Sequence, residues 1–139
     1  MLKRLRRRLG RRRSTALSTP ELADFLDVAR RSFVGVQQAW DRADLAALSR
    51  LATGPLLDEL REQLAARGPG PNVTEVLRVE ARLLGVHQLS QAQVASVEFS
   101  GLIREHVDQR PVPFRELWML ARLEEPDPGW RVARVQSLS

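Results

Sequence analysis

The 139-residue sequence has no cysteine and no tyrosine, only two histidines, and a single lysine, Lys3, among 22 basic residues. Without cysteine there is no disulfide, no thiolate nucleophile and no cysteine-based zinc or iron–sulfur site. His87 and His106 stand far apart in the chain and form no local metal-ligand spacing, so neither a metal nor a cofactor is expected. The longest apolar run is Leu117–Ala121, far short of the ~20 residues that a bilayer-spanning helix needs. No secretory signal is expected: the basic start resembles an n-region, but Ser14–Pro20 supplies no apolar core after it. The length fits one domain, and a chain of this size buries roughly two-thirds of its unfolded surface without covalent staples.

What is present is charge, unevenly placed. Lys3, Arg4, Arg6, Arg7, Arg8, Arg11, Arg12 and Arg13 fall within the first 13 residues, with no acid among them. Setting these eight aside leaves 14 arginines against 17 acids, so the net +5 is an acidic body of −3 carrying a basic arm. Leu2, Leu5 and Leu9 recur at i, i+3 and i+7 within the arm. In a helix they line one face, with arginine around the rest. A cationic amphipathic segment suits an anionic membrane surface. The same arginines suit phosphate backbones, in nucleic acid or a ribosome. A solvated tail is the third reading, since like charges repel and Gly10 interrupts the pattern. The sequence divides into a basic arm and linker, 1–17, and a globular domain, 18–139.

The domain opens with helical periodicity. Ser18, Thr19, Pro20 and Glu21 signal a start, through a Thr19 cap or a Ser18–Glu21 capping box. Leu22, Phe25, Leu26, Ala29, Phe33, Val36 and Trp40 then recur at helical spacing. Asp44 caps a second, shorter helix, and Pro55–Arg67 forms a third. Gly68–Pro71 ends helical structure. From there the period is two. Leu77, Val79, Ala81 and Leu83 alternate with charged residues up to a bulge or bend at Leu84–Val86. Gln93–Arg104 directs Ala95, Val97, Phe99, Gly101 and Ile103 one way. Phe114–Leu123 is apolar on both faces, as a central strand is, and Trp130–Leu138 closes the chain. The fold class is α+β: three N-terminal helices packed on a strongly curved, four-stranded antiparallel sheet.

The long helix leaving through Trp40-Asp41-Arg42-Ala43-Asp44-Leu45 resembles the nuclear-transport-factor-2-like cone superfamily. Arg30–Phe33, Val36–Asp41, Asn72–Leu77, Glu80–Val86, Val97–Glu105 and Phe114–Trp118 resemble one branch of it. These are the bacterial relatives of the C-terminal domain of mitochondrial inner-membrane translocase subunit 44. The resemblance spans about residues 19–138. It implies a non-enzymatic module, peripheral on the cytoplasmic side of the inner membrane. Its expected partners are an anionic lipid surface and a protein, and its expected ligand site is a deep apolar pocket. Attachment to a ribosome or nucleic acid through the arm is the alternative, and a small isomerase or dehydratase of the same superfamily is the third.

Phe33, Phe99, Leu117, Trp118 and Met119 are the expected pocket lining, and aromatic strand residues of this kind also serve as core. Glu116 is the best candidate for a pocket acid, or else the partner of a neighbouring-strand arginine, Arg131 or Arg134. Alternation places Glu80 and Glu98 outside. Asp41 and Asp44 read as turn and cap residues, and Trp40 as packing at the helix exit.

Overall fold

A computed structural model describes residues 13–14, 17–68, 73–106, 108–123 and 129–138. The elements run β1 (Arg13–Ser14), α1 (Thr19–Asp41), α2 (Leu45–Leu51), α3 (Gly54–Arg67), β2 (Glu75–Gln88), β3 (Ala92–Arg104), β4 (Val112–Leu123) and β5 (Trp130–Ser137).

Ser18 is the N-cap of α1, and the capping box decides between the two expected starts. The Glu21 backbone N–H donates to Ser18 Oγ at 3.3 Å, and the Ser18 N–H donates to Glu21 Oε1 at 3.0 Å. Phe25, Ala29, Phe33, Val36 and Ala39 form the buried stripe of the helix. Past Asp41 the chain turns through Ala43, at φ 53°. Asp44 Oδ1 then accepts from the Ala47 N–H at 3.0 Å and starts α2. The link from α2 to α3 is tied to the sheet: Ala52 bridges Val132, and the Thr53 N–H donates to the Val132 carbonyl at 2.9 Å.

Helices precede an antiparallel meander of β2, β3, β4 and β5, the α+β order read from the sequence. β1 is an addition to that reading. It pairs Arg13 with Gln88 and Ser14 with His87, adding a fifth strand at the β2 edge. Two residues paired through backbone alone leave no alternation for the sequence to show.

The sheet faces follow from register. Val79, Ala81, Leu83 and Val86 of β2 stand opposite Gly101, Phe99, Val97 and Ala95 of β3. The expected shift occurs between Leu83 and Gly85. A second shift, between Val76 and Arg78, adds to the sequence reading and moves Leu77 out of the inward row. Leu77 is exposed, and Val76 packs against the core in its place. A third shift on the β4–β5 pairing lies at Met119/Leu120. Each extra residue bends its strand and increases local twist.

The β2 bulge dictates one glycine. A Cβ on Gly101 would lie 1.9 Å from the Arg78 carbonyl oxygen, a contact that only backbone displacement relieves. A Cβ on Gly54 would meet nothing within 4 Å. Gly101→Ala is therefore expected to destabilise the fold by about 1–3 kcal/mol. Gly54→Ala is expected to leave stability unchanged or raise it by about 0.4–1 kcal/mol. Urea unfolding of both variants checks the contrast, and equal midpoints would contradict it.

Candidate functional site

Three of the five expected pocket residues meet on the inner face of the sheet. Phe33 of α1 lies 4.9 Å from Phe99, 5.1 Å from Trp118 and 5.2 Å from Phe114, ring centre to centre. Phe99 meets Trp118 edge-on at 5.1 Å. Phe33, Trp118 and Phe99 are at most 1% exposed, so their rings fill the space between helix and sheet. Leu117 and Met119 alternate with Trp118 and stand on the opposite face, beside Gln136 and Arg134 of β5.

Open space lies at the two ends of this packed centre. At one end, a recess of about 400 Å³ is bounded by Leu17, Phe25, Val86 and Trp130, with Glu21 and Asp24 on its helical wall and Arg122 on its sheet wall. Phe25 meets Trp130 edge-on at 5.1 Å, and the Arg122 guanidinium lies 5.9 Å from the Trp130 ring centre. At the other end, a recess of about 690 Å³ is bounded by Pro113, Phe114, Arg115, Glu116 and Ser137.

Glu116 occupies the inner face of β4, between Phe114 and Trp118. Its Oε1 accepts a hydrogen bond from the Trp118 indole N–H at 2.8 Å. Among the described residues it forms no ion pair, so neither Arg131 nor Arg134 is its salt-bridge partner. The i, i+2 spacing of Glu116 and Trp118 is the sequence signal for this pair, since period two puts both on one face.

The outer face carries the charges that alternation assigns to it. Glu98 takes Arg82 at 3.2 Å and Arg115 at 3.8 Å. Both arginines are well exposed, and pairs of this kind contribute about 1 kcal/mol or less. Two tethers escape the sequence reading. Asp41 accepts from Thr74 N–H at 2.6 Å and from Thr74 Oγ1 at 3.1 Å, joining the end of α1 to the start of β2. Arg67 donates to the Trp40 carbonyl at 2.7 Å, with its guanidinium 5.2 Å from the Trp40 ring centre. Both span long sequence separations between polar residues, where no periodicity exists.

Leu2, Lys3, Arg4, Leu5, Arg6, Arg7, Arg8, Leu9, Arg11 and Arg12 lie outside the described residues. Arg13 is described as backbone only, and its strand fixes where the arm joins the domain. That place is the end of β2, beside the β2–β3 turn with its exposed Leu89. Leu17, four residues on, lines the smaller recess. His87 pairs with Ser14 in β1 and Val94 in β3, and the His106 carbonyl accepts from Gln109 N–H at 3.0 Å in a turn. Among the described residues there is no group of three His, Asp or Glu side chains placed to hold a metal, and no helix long and apolar enough to cross a membrane.

The chain matches the Tim44-like domain family over residues 19–137. No curated protein matches it. Among solved structures it is similar to a de novo designed β-sheet protein determined by solution NMR. The two share 19% identity over 83% of this chain and 88% of the design, with a TM-score of 0.41, a likeness too distant to bear on function.

Of the residues around the smaller recess, Glu21 has a shifted acidity. The Ser18 backbone N–H, and then the Ser18 side chain, hold its carboxyl below the ordinary value of 4.5. A carboxyl depressed in the folded state stabilises the fold above its unfolded value and loses that contribution as pH falls through the folded one. Glu21 is thus expected to titrate below 4.5 by carboxyl NMR. Ser18→Ala keeps the backbone donor and is expected to return the midpoint only part of the way. A native midpoint at or above 4.5 would contradict the capping geometry.

Proposed function

The chain belongs to the Tim44-like domain family, and on that premise we propose a non-enzymatic module that docks peripherally on an anionic membrane and binds a protein or an apolar ligand. The family is translocase-associated and non-catalytic, which agrees with a binding role. We place the module on the cytoplasmic side of the inner membrane, with 1–17 as the basic arm and its linker and 18–139 as the domain they carry.

The observation that carries this reading is the separation of charge. Eight cations and three leucines occupy the first 13 residues, ahead of a body of net −3. A body of that sign is repelled by an anionic surface, so attachment falls to the arm. β1 pins the last arm residue to the sheet edge, so the arm leaves from a fixed place on the domain. On the outer face Arg82 and Arg115 share Glu98, a net charge of one against the eight cations of the arm.

Magnitudes set the character of the binding. Each arginine near the surface contributes about 1 kcal/mol, and the sum over eight is an upper limit because not all reach the surface together. Inserted leucines add a few kcal/mol, and ordering about ten residues opposes them by a comparable amount. Affinity is therefore modest, reversible and steeply dependent on salt.

The full chain is expected to sediment with vesicles containing anionic lipid and to remain in solution with neutral ones. A chain beginning at Ser14 is expected to remain in solution with both. Leu2, Leu5 and Leu9 separate lipid from nucleic acid. Changing all three to Ser is expected to weaken vesicle binding and leave duplex DNA or RNA binding nearly intact, because counterion release needs only the cations. Equal losses on both, or no vesicle binding by the full chain at low salt, would overturn the membrane reading.

A further inference from the structure

The larger recess holds a charge that the membrane reading does not use. Glu116 is the one acid among the described strand residues that face the helices. Its row on β4 otherwise reads Phe114, Trp118 and Leu120, and its cross-strand neighbours are Phe99 and Ser137. A carboxylate in an apolar row is unfavourable unless hydrogen-bonded or paired. The Trp118 indole N–H satisfies one oxygen, and an indole donor leaves the negative charge in place. Arg115, the adjacent cation, does not neutralise it. Alternation turns Arg115 to the outer face, where its Nε lies 3.8 Å from Glu98.

The recess in front of this carboxylate is of ligand size, about 690 Å³, and its other walls are Pro113, the partly exposed Phe114, Ser137 and Arg115. Arg115 is engaged by Glu98, so an anion in contact with Glu116 is repelled, and a neutral apolar molecule gains nothing from that carboxylate. We propose that the recess at Glu116 binds an organic cation, an ammonium or guanidinium group joined to an apolar body. The cation pairs with the Glu116 carboxylate, and the apolar body lies against Phe114 and Pro113. A charge-assisted hydrogen bond supplies orientation, and the aromatic wall supplies area. Arg115 is the cation on the wall of this recess, but its ion pair is with Glu98, and among the described residues no arginine pairs with Glu116. The same chemistry is offered by a free amine and by a lysine or arginine side chain on a protein partner.

The test uses the full chain without lipid. Phenethylammonium and Nα-acetylarginine amide are titrated while the Trp118 indole N–H resonance is followed by NMR, and phenethyl alcohol serves as the neutral control. At least one cation is expected to shift that resonance saturably, and the tighter of the two identifies the source. Glu116→Gln keeps an oxygen acceptor for the Trp118 N–H and removes the charge. It is expected to weaken cation binding about tenfold or more and to leave the alcohol unchanged. Preserved far-UV circular dichroism and an unchanged urea midpoint confirm that the variant folds. An unaltered cation affinity in Glu116→Gln would overturn the proposal. So would an alcohol that binds the native chain as tightly as phenethylammonium, or the absence of a saturable shift with both cations.

Discussion

Phe33 must sit within about 5 Å of three sheet aromatics at once, and the placement of α1 follows from that contact. A 23-residue helix on a meander has many sliding positions, but Phe33 has one socket, made by Phe99, Phe114 and Trp118. Aromatic pairs at such separations prefer offset-stacked and edge-on geometry, worth about 0.5–1.5 kcal/mol each beyond burial; Phe33 stacks on Phe114 and is tilted against Phe99 and Trp118. The rest of the helix is positioned by this fit. Phe25 reaches Trp130 at one end, and Asp41 reaches Thr74 at the other. Space lies at the two sides of the filled socket, in the recesses at Trp130 and Glu116. With seven aromatic residues in the whole chain, this allocation is concentrated: Phe25, Phe33, Phe99, Phe114, Trp118 and Trp130 all serve the seam between α1 and the sheet.

What sequence reading recovers here is what side-chain period encodes. The apolar stripe of α1, the alternation of β3 and the change of period near Gly68–Pro71 each involve many residues repeating one rule, so the helices and the meander are legible. The bulge at Leu84–Val86 is legible for the same reason, because the phase visibly flips there. The Leu77 bulge is not. Leu77 and Val79 keep an unbroken alternation, and only the carbonyl of Arg78 pressing toward Gly101 reveals the shift. β1 is hidden because backbone pairing needs no particular side chain. For the site, the row containing Glu116 and Trp118 is legible from period two. The consequence of packing is less so: Phe33, Phe99 and Trp118 close on one another, and whether aromatic rings line a space or fill it depends on three-dimensional fit.

Charge and shape are assigned to different parts of the chain. The domain keeps its ions on exposed surfaces, and none of its described charged or polar residues is buried. Glu116 is the partly buried exception on the helix-facing side, held by the Trp118 indole. The arm reverses this pattern, with cations at most positions and no acid. β1 joins the two at a defined sheet edge, so a surface that captures the arm also orients the domain. In the membrane reading, the body stays in solution above the lipid, with both recesses accessible.

Because the chain has no cysteine, a single introduced thiol reports on one site alone. A polarity-sensitive fluorophore is attached in turn at Leu5→Cys in the arm and at Ala65→Cys on the exposed side of α3. Each labelled chain is mixed with vesicles containing anionic lipid. Attachment through the arm gives a blue-shifted emission at position 5 that salt reverses, and an unchanged spectrum at position 65. An unchanged spectrum at position 5, or a shift at position 65 matching it, would contradict attachment through the arm.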